Sequence, residues 1–136
     1  MRTSARRSAT VIALAVIVAL AVWALTRLVG AEPTVGKGAD ASAVSAIEVA
    51  AAALVSGLAA WGLYTLLARR GWAGWWPFIG STLLAVSMNG PSYFSDGASA
   101  IALMCMHFAV AIVLIPGLMG WTPRWVATRA PEALHN

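Results

Sequence analysis

Residues 9 to 30 read ATVIALAVIVALAVWALTRLVG, and the classification of that stretch decides the fold. Crossing a hydrocarbon layer about 30 Å thick takes about 20 helical residues, because every backbone amide must find its partner inside the segment. The stretch has that length, with Arg27 as its one charge. The competing reading is a cleavable signal peptide, with Arg2, Arg6 and Arg7 in front and VGA before Glu32. An apolar core of roughly 18 residues before Arg27 exceeds the ~7 to 15 of a signal core, so a retained helix is expected.

Three more apolar segments follow, at about 43–68, 75–92 and 98–119. The third, from WWPFIGSTLLAVSMNGP onward, is bracketed by prolines: Pro77 suits a first helical turn, and Pro91 after Gly90 stops a helix. In the fourth, Pro116 and Gly117 are expected to bend or end the rod. Of 136 residues, 60% are hydrophobic and 10% charged, which is a membrane composition and far from that of a soluble globule. The fold class expected is an all-α integral membrane four-helix bundle spanning 9–120, after a basic N-terminus at 1–8 and before a short tail at 121–136. The loop GAEPTVGKGADAS, residues 30 to 42, reads as a flexible connection.

Orientation comes from arginine placement, since cytoplasmic loops carry the basic excess. Arg2, Arg6, Arg7, Arg69, Arg70, Arg124 and Arg129 all fall on one side. The opposite loops hold Lys37 with Glu32 and Asp40, and then Asp96, so both termini are expected in the cytoplasm and the chain in the cell membrane. Trp72, Trp75, Trp76, Trp121 and Trp125 stand where an aromatic belt at the inner interface belongs.

Four polar residues fall inside the apolar segments: Arg27, Glu48, Asn89 and His107. Counted at ~1.5 Å per residue, the first three lie within roughly 8 Å of the outer boundary and His107 at about 12 to 14 Å. Such groups normally face protein or water and are paired. Helices one and two form an antiparallel hairpin, which predicts an ion pair between Arg27 and Glu48. The stripes Ala15, Ala19, Trp23, Arg27 and Glu48, Ala52, Ser56, Ala60 would let the helices approach closely. The result would be an outward-facing polar cluster floored by His107. Each member also has a plainer role: Arg27 snorkelling to the headgroups, Glu48 standing exposed at the surface, Asn89 closing a helix end, His107 bonding a serine or a carbonyl as interhelical glue.

Other chemistry finds no support. Cys105 is the single cysteine, so there is no disulfide and no cysteine-rich metal site, and at i, i+2 it faces away from His107. The glycines of VSMNGP and IPGLMG lack phosphate-loop spacing. No cofactor or metal is expected, and the basic residues form no extended face for nucleic acid.

AVWALTRLVG, GLAAWGLYTLLARR, SMNGP and MHFAVAIVLIPGL, taken together, resemble an actinobacterial family of small four-helix integral membrane proteins of unknown function. The likeness covers nearly the whole chain; its most family-like elements are Ser87, Gly90 and Pro91, and the spacing from His107 to Pro116. Asn89 departs from the pattern, where the family has an apolar residue. The resemblance implies fold and location and brings no activity.

The leading functional expectation is therefore a structural or interaction component of the membrane, not an enzyme. Its partners would be the lipid bilayer and another membrane protein or a second copy. The alternative is a transporter or binder of a small ion or lipophilic molecule through the polar cluster.

Overall fold

A computed structural model describes residues 2–36, 39, 41–95 and 97–120. The described residues are mostly helical: α1 (Arg2–Leu28), α2 (Ala46–Arg69), α3 (Trp76–Ser87), α4 (Asn89–Phe94) and α5 (Gly97–Met119). Two short strands, β1 (Thr34–Val35) and β2 (Ser42–Ala43), pair antiparallel between α1 and α2, with Thr34 opposite Ala43 and Val35 opposite Ser42. The tail expected at 121–136, with Trp121, Trp125, Arg124 and Arg129, lies outside the described residues, as do Lys37, Asp40 and Asp96.

Among the described residues, three helices are long and apolar enough to cross a membrane: Ala5–Leu28, Ala46–Arg69 and Gly97–Met119. Only 17% of the apolar window of each is buried inside the protein. Large side chains such as Ile17 at 62%, Leu25 at 60% and Ile47 at 80% exposure point outward. Water does not tolerate so continuous an apolar surface, and hydrocarbon does.

The third expected rod, 75–92, is two pieces. Pro91 has no N–H to offer the carbonyl of Ser87, and its ring crowds that turn, so α3 stops after 12 residues and α4 starts anew beyond Met88. Together they still return the chain from the Arg70 end of the bundle to the β-hairpin end. The Arg7 guanidinium donates to the carbonyl of Leu118 at 3.3 Å, so the start of α1 and the end of α5 share one end of the bundle. At the same end the ring of Trp76 is 2% exposed, donates from Nε1 to the Ile115 carbonyl at 3.0 Å and stands edge-on to Tyr64. Trp76 is thus a core residue, which corrects its place in the aromatic belt; Trp72 and Trp75 are exposed.

The core follows α1. Ala15 and Ala19 are at most 2% exposed; Val49 and Ala53 of α2 and Met106 of α5 pack around Ala19, while Ile12, Ala15 and Leu114 form a second cluster. The face of α2 buried on the bundle is Val49, Ala53 and Gly57, one position on from the expected stripe of Ala52, Ser56 and Ala60. One residue is ~100° of helix, enough to turn that stripe aside. The connection between α1 and α2, read from its composition as flexible, is held at three of its described residues. Ser95 Oγ donates to the Thr34 carbonyl at 2.6 Å, Ser99 Oγ to the Glu32 carbonyl at 2.9 Å, and Trp23 Nε1 to the Val44 carbonyl at 2.9 Å.

Glycine permits the closest helix contacts. A Cβ placed on Gly117 would meet Val11 Cγ1 at 2.6 Å, and one on Gly57 would meet Ile12 Cγ2 at 2.9 Å. Alanine at 117 would gain roughly 1 kcal/mol of helix propensity were the site open. The crowding instead costs about 1 to 3 kcal/mol. Gly117→Ala should therefore lower the thermal unfolding midpoint in detergent, and adding Val11→Ala should recover most of the loss. An unchanged or raised midpoint in the single variant would show that α1 and α5 do not approach this closely.

Candidate functional site

α1 lies between α2 on one side and α5 on the other, and α3 packs on α5. That order leaves a gap between α2 and the α3–α5 pair, backed by Ala19 of α1. The gap is a groove of about 660 Å³, within the usual ~300 to 1,000 Å³ range of small-molecule sites. Its α2 wall is the displaced stripe of small residues, Ala52, Ser56, Ala59 and Ala60. The facing wall is Gly80, Leu83, Leu84 and Ser87 of α3 with Leu103, His107, Val110 and Ala111 of α5. Leu63 and Trp76 close one end, and Val35, Ser42, Ala43 and Val44 of the hairpin roof the other.

Of the four polar residues singled out in the sequence, the groove takes in Glu48 and His107 and leaves out Arg27 and Asn89. The expected ion pair between Arg27 and Glu48 is replaced by two local arrangements. Arg27 Nη2 bonds Glu32 Oε1 at 3.0 Å, both side chains about half exposed, and the guanidinium carbon sits 5.2 Å from the Trp23 ring centroid. A partner five residues away beyond the helix end is reached without burying either charge, so this exposed pair contributes at most about 1 kcal/mol.

Glu48 belongs to a capping box. Ser45 is the N-cap of α2, its Oγ accepts from the Glu48 backbone N–H, and Glu48 Oε2 in turn accepts from the Ser45 N–H at 2.7 Å and from Ser45 Oγ at 2.8 Å. The helix begins at Ala46 where 43 was expected, so Glu48 stands in its first turn instead of two turns deep. The pattern Ser45-Ala46-Ile47-Glu48 is the S-x-x-E signature ahead of an apolar run, a signal present in the sequence and missed there.

Asn89 is spent on the break between α3 and α4. Its Nδ2 donates to the carbonyls of Ala85 at 3.3 Å and Val86 at 3.2 Å, around the turn that Pro91 disrupts. His107 bonds within its own helix as well: Nδ1 lies 2.8 Å from the Leu103 carbonyl, a bond inside α5 and not between helices. A carbonyl oxygen can only accept, so Nδ1 carries the proton. Nε2 has no protein partner among the described residues. Among those residues no group of three or more His, Cys, Asp or Glu could hold a metal ion.

A family model described as a family of unknown function (DUF6069) matches residues 1–124, and the chain belongs to that family. Neither a curated protein nor a solved structure matches it.

The two local arrangements make separable predictions. Ser45→Ala removes the N-cap, a change that costs about 1 kcal/mol, and should speed hydrogen exchange of the first amides of α2 roughly fivefold. Arg27→Gln should leave those amides unchanged. Equal acceleration in both variants would restore the Arg27–Glu48 pairing.

Proposed function

We propose that this member of DUF6069 is a multi-pass protein of the bacterial cell membrane that binds a lipophilic molecule in the groove between α2 and the α3–α5 pair. The observation that carries the reading is the groove itself. Its walls are apolar along most of their length, and its few polar groups are Glu48, Ser42 and Ser87 toward the hairpin end and Ser56 and His107 near mid-length. Apolar walls with a few placed polar groups are the general character of a small-molecule site.

The displacement of Arg27 narrows the choice between ions and lipophiles. A site for a small anion needs a fixed cation, and the groove lining contains none among the described residues. Proton transport needs a chain of acids and histidines, and here Glu48 is committed to the Ser45 cap. Binding, with no chemistry performed on the ligand, is what the side chains support, so the protein is not an enzyme in this reading. A purely structural role would favour a closed interface between helices. The lateral gap speaks against that role and for an occupant.

The arginine bias sets the proposed orientation, with Arg7, Arg69 and Arg70 in the cytoplasm and the β-hairpin outside. The hairpin then roofs the groove on the aqueous side, and a ligand reaches it sideways from the bilayer.

A long-chain alkyl diazirine, incorporated in proteoliposomes and photolysed, tests the reading. Labelling should concentrate on groove residues such as Ala59, Leu84 and Ala111 relative to Ile17 and Leu25 on the outer surface. Ser56→Phe should cut groove labelling several-fold while sparing the outer sites. Even labelling of all apolar faces would mean that lipid merely solvates the bundle.

A further inference from the structure

The polar contact available to an occupant of the groove is set by His107, and resting on the binding role above, it narrows the class of ligand. The ring lines the groove, and its Nδ1–H is donated to the Leu103 carbonyl 2.8 Å away. A neutral imidazole fixed in that tautomer presents Nε2 as a bare acceptor. His107 stands ten residues after Gly97, so it lies about 15 Å along a helix of about 34 Å, near its middle. The ring is exposed to the groove, so in a bilayer, where hydrocarbon fills that space and supplies no donor, Nε2 is left without a partner at a cost.

Among the described residues no groove side chain donates to it. Leu103, Val110 and Ala111 line the groove beside His107 on α5, and Ala52, Ser56, Ala59 and Ala60 line it on α2, where the Ser56 hydroxyl makes no bond to the ring. Ser87, on α3, donates its hydroxyl to the carbonyl of Leu84 at 2.8 Å. Glu48, bonded to Ser45, offers only acceptors when ionised. Apart from the Ser56 hydroxyl, the polar part of the lining is therefore rich in acceptors, and it holds no cation among the described residues. A carboxylate or phosphate head would meet lone pairs, and an ammonium head would carry a full charge to mid-helix depth. A neutral hydroxyl satisfies Nε2 without either cost.

We propose that the groove selects an uncharged long-chain alcohol, whose hydroxyl donates to Nε2 of His107 while its chain lies along the apolar walls toward Trp76. His107 acts here as a specificity-determining residue. The tautomer enforced by Leu103 makes the selection one of donor against non-donor.

Oleyl alcohol and its methyl ether share one chain and differ in the donor, so competition of each against the alkyl diazirine for groove labelling reads the contact directly. The alcohol should compete roughly three- to tenfold better, the worth of one neutral hydrogen bond. In His107→Phe the two should compete equally. A second measurement needs no variant: in protein labelled with ¹⁵N-histidine, the alcohol should shift the Nε2 resonance of His107 upfield and the ether should not. Equal competition by both compounds in the native protein, or an Nε2 signal unmoved by saturating alcohol, overturns the proposal and leaves the groove as a non-selective lipophile site. Failure of both compounds to compete overturns the binding role as well.

Discussion

Close approach along α1 is the contact on which the rest of the architecture depends. In hydrocarbon, apolar side chains gain nothing by leaving lipid, so helices associate through packing, and packing demands small residues at the crossing points. Ala15 and Ala19 on α1, Gly57 on α2 and Gly117 on α5 meet that demand. Because both partners of α1 are held to it, α2 and α5 stand on either side of it instead of closing on one another. The groove is the geometric remainder of that arrangement, and its floor is fixed separately by the bond from Trp76 to the Ile115 carbonyl.

The hairpin end is built on a different principle. There the backbone leaves the helices and its polar groups need partners, which Ser95, Ser99 and Trp23 supply to the carbonyls of Thr34, Glu32 and Val44. Pro33 and Ser95 are almost fully buried beneath this network. Its bonds reach α1 and α5 as well as the loop, so the roof of the groove is fastened to the same two helices that pack most closely.

The helical and apolar character of the chain was legible in sequence because it rests on length and composition, which hydrocarbon constrains strongly. Ala15 and Ala19 were legible as the bundle face of α1 for the same reason. The phase of α2 was not: Ala52, Ser56 and Ala60 form as regular a stripe of small residues as Val49, Ala53 and Gly57, and only the partner helix chooses between them. The fate of Glu48 was legible in Ser45-Ala46-Ile47-Glu48, yet a start assigned at 43 in place of Ala46 carried the acid too deep and suggested a distant partner. Arg27 shows the opposite case. Its partner Glu32 lies in a loop whose path depends on the bonds of Ser99 and Trp23, contacts that no periodicity encodes.

The divided third helix gives the groove two unlike ends. α3 is clamped where Trp76 is wedged beside Ile115 and Tyr64, while Met88 still donates its N–H to the Leu84 carbonyl at 3.0 Å and the helical run is interrupted beyond it, where Pro91 has no N–H for the Ser87 carbonyl. One end of the slot is therefore gauged by a buried ring and the other by a proline.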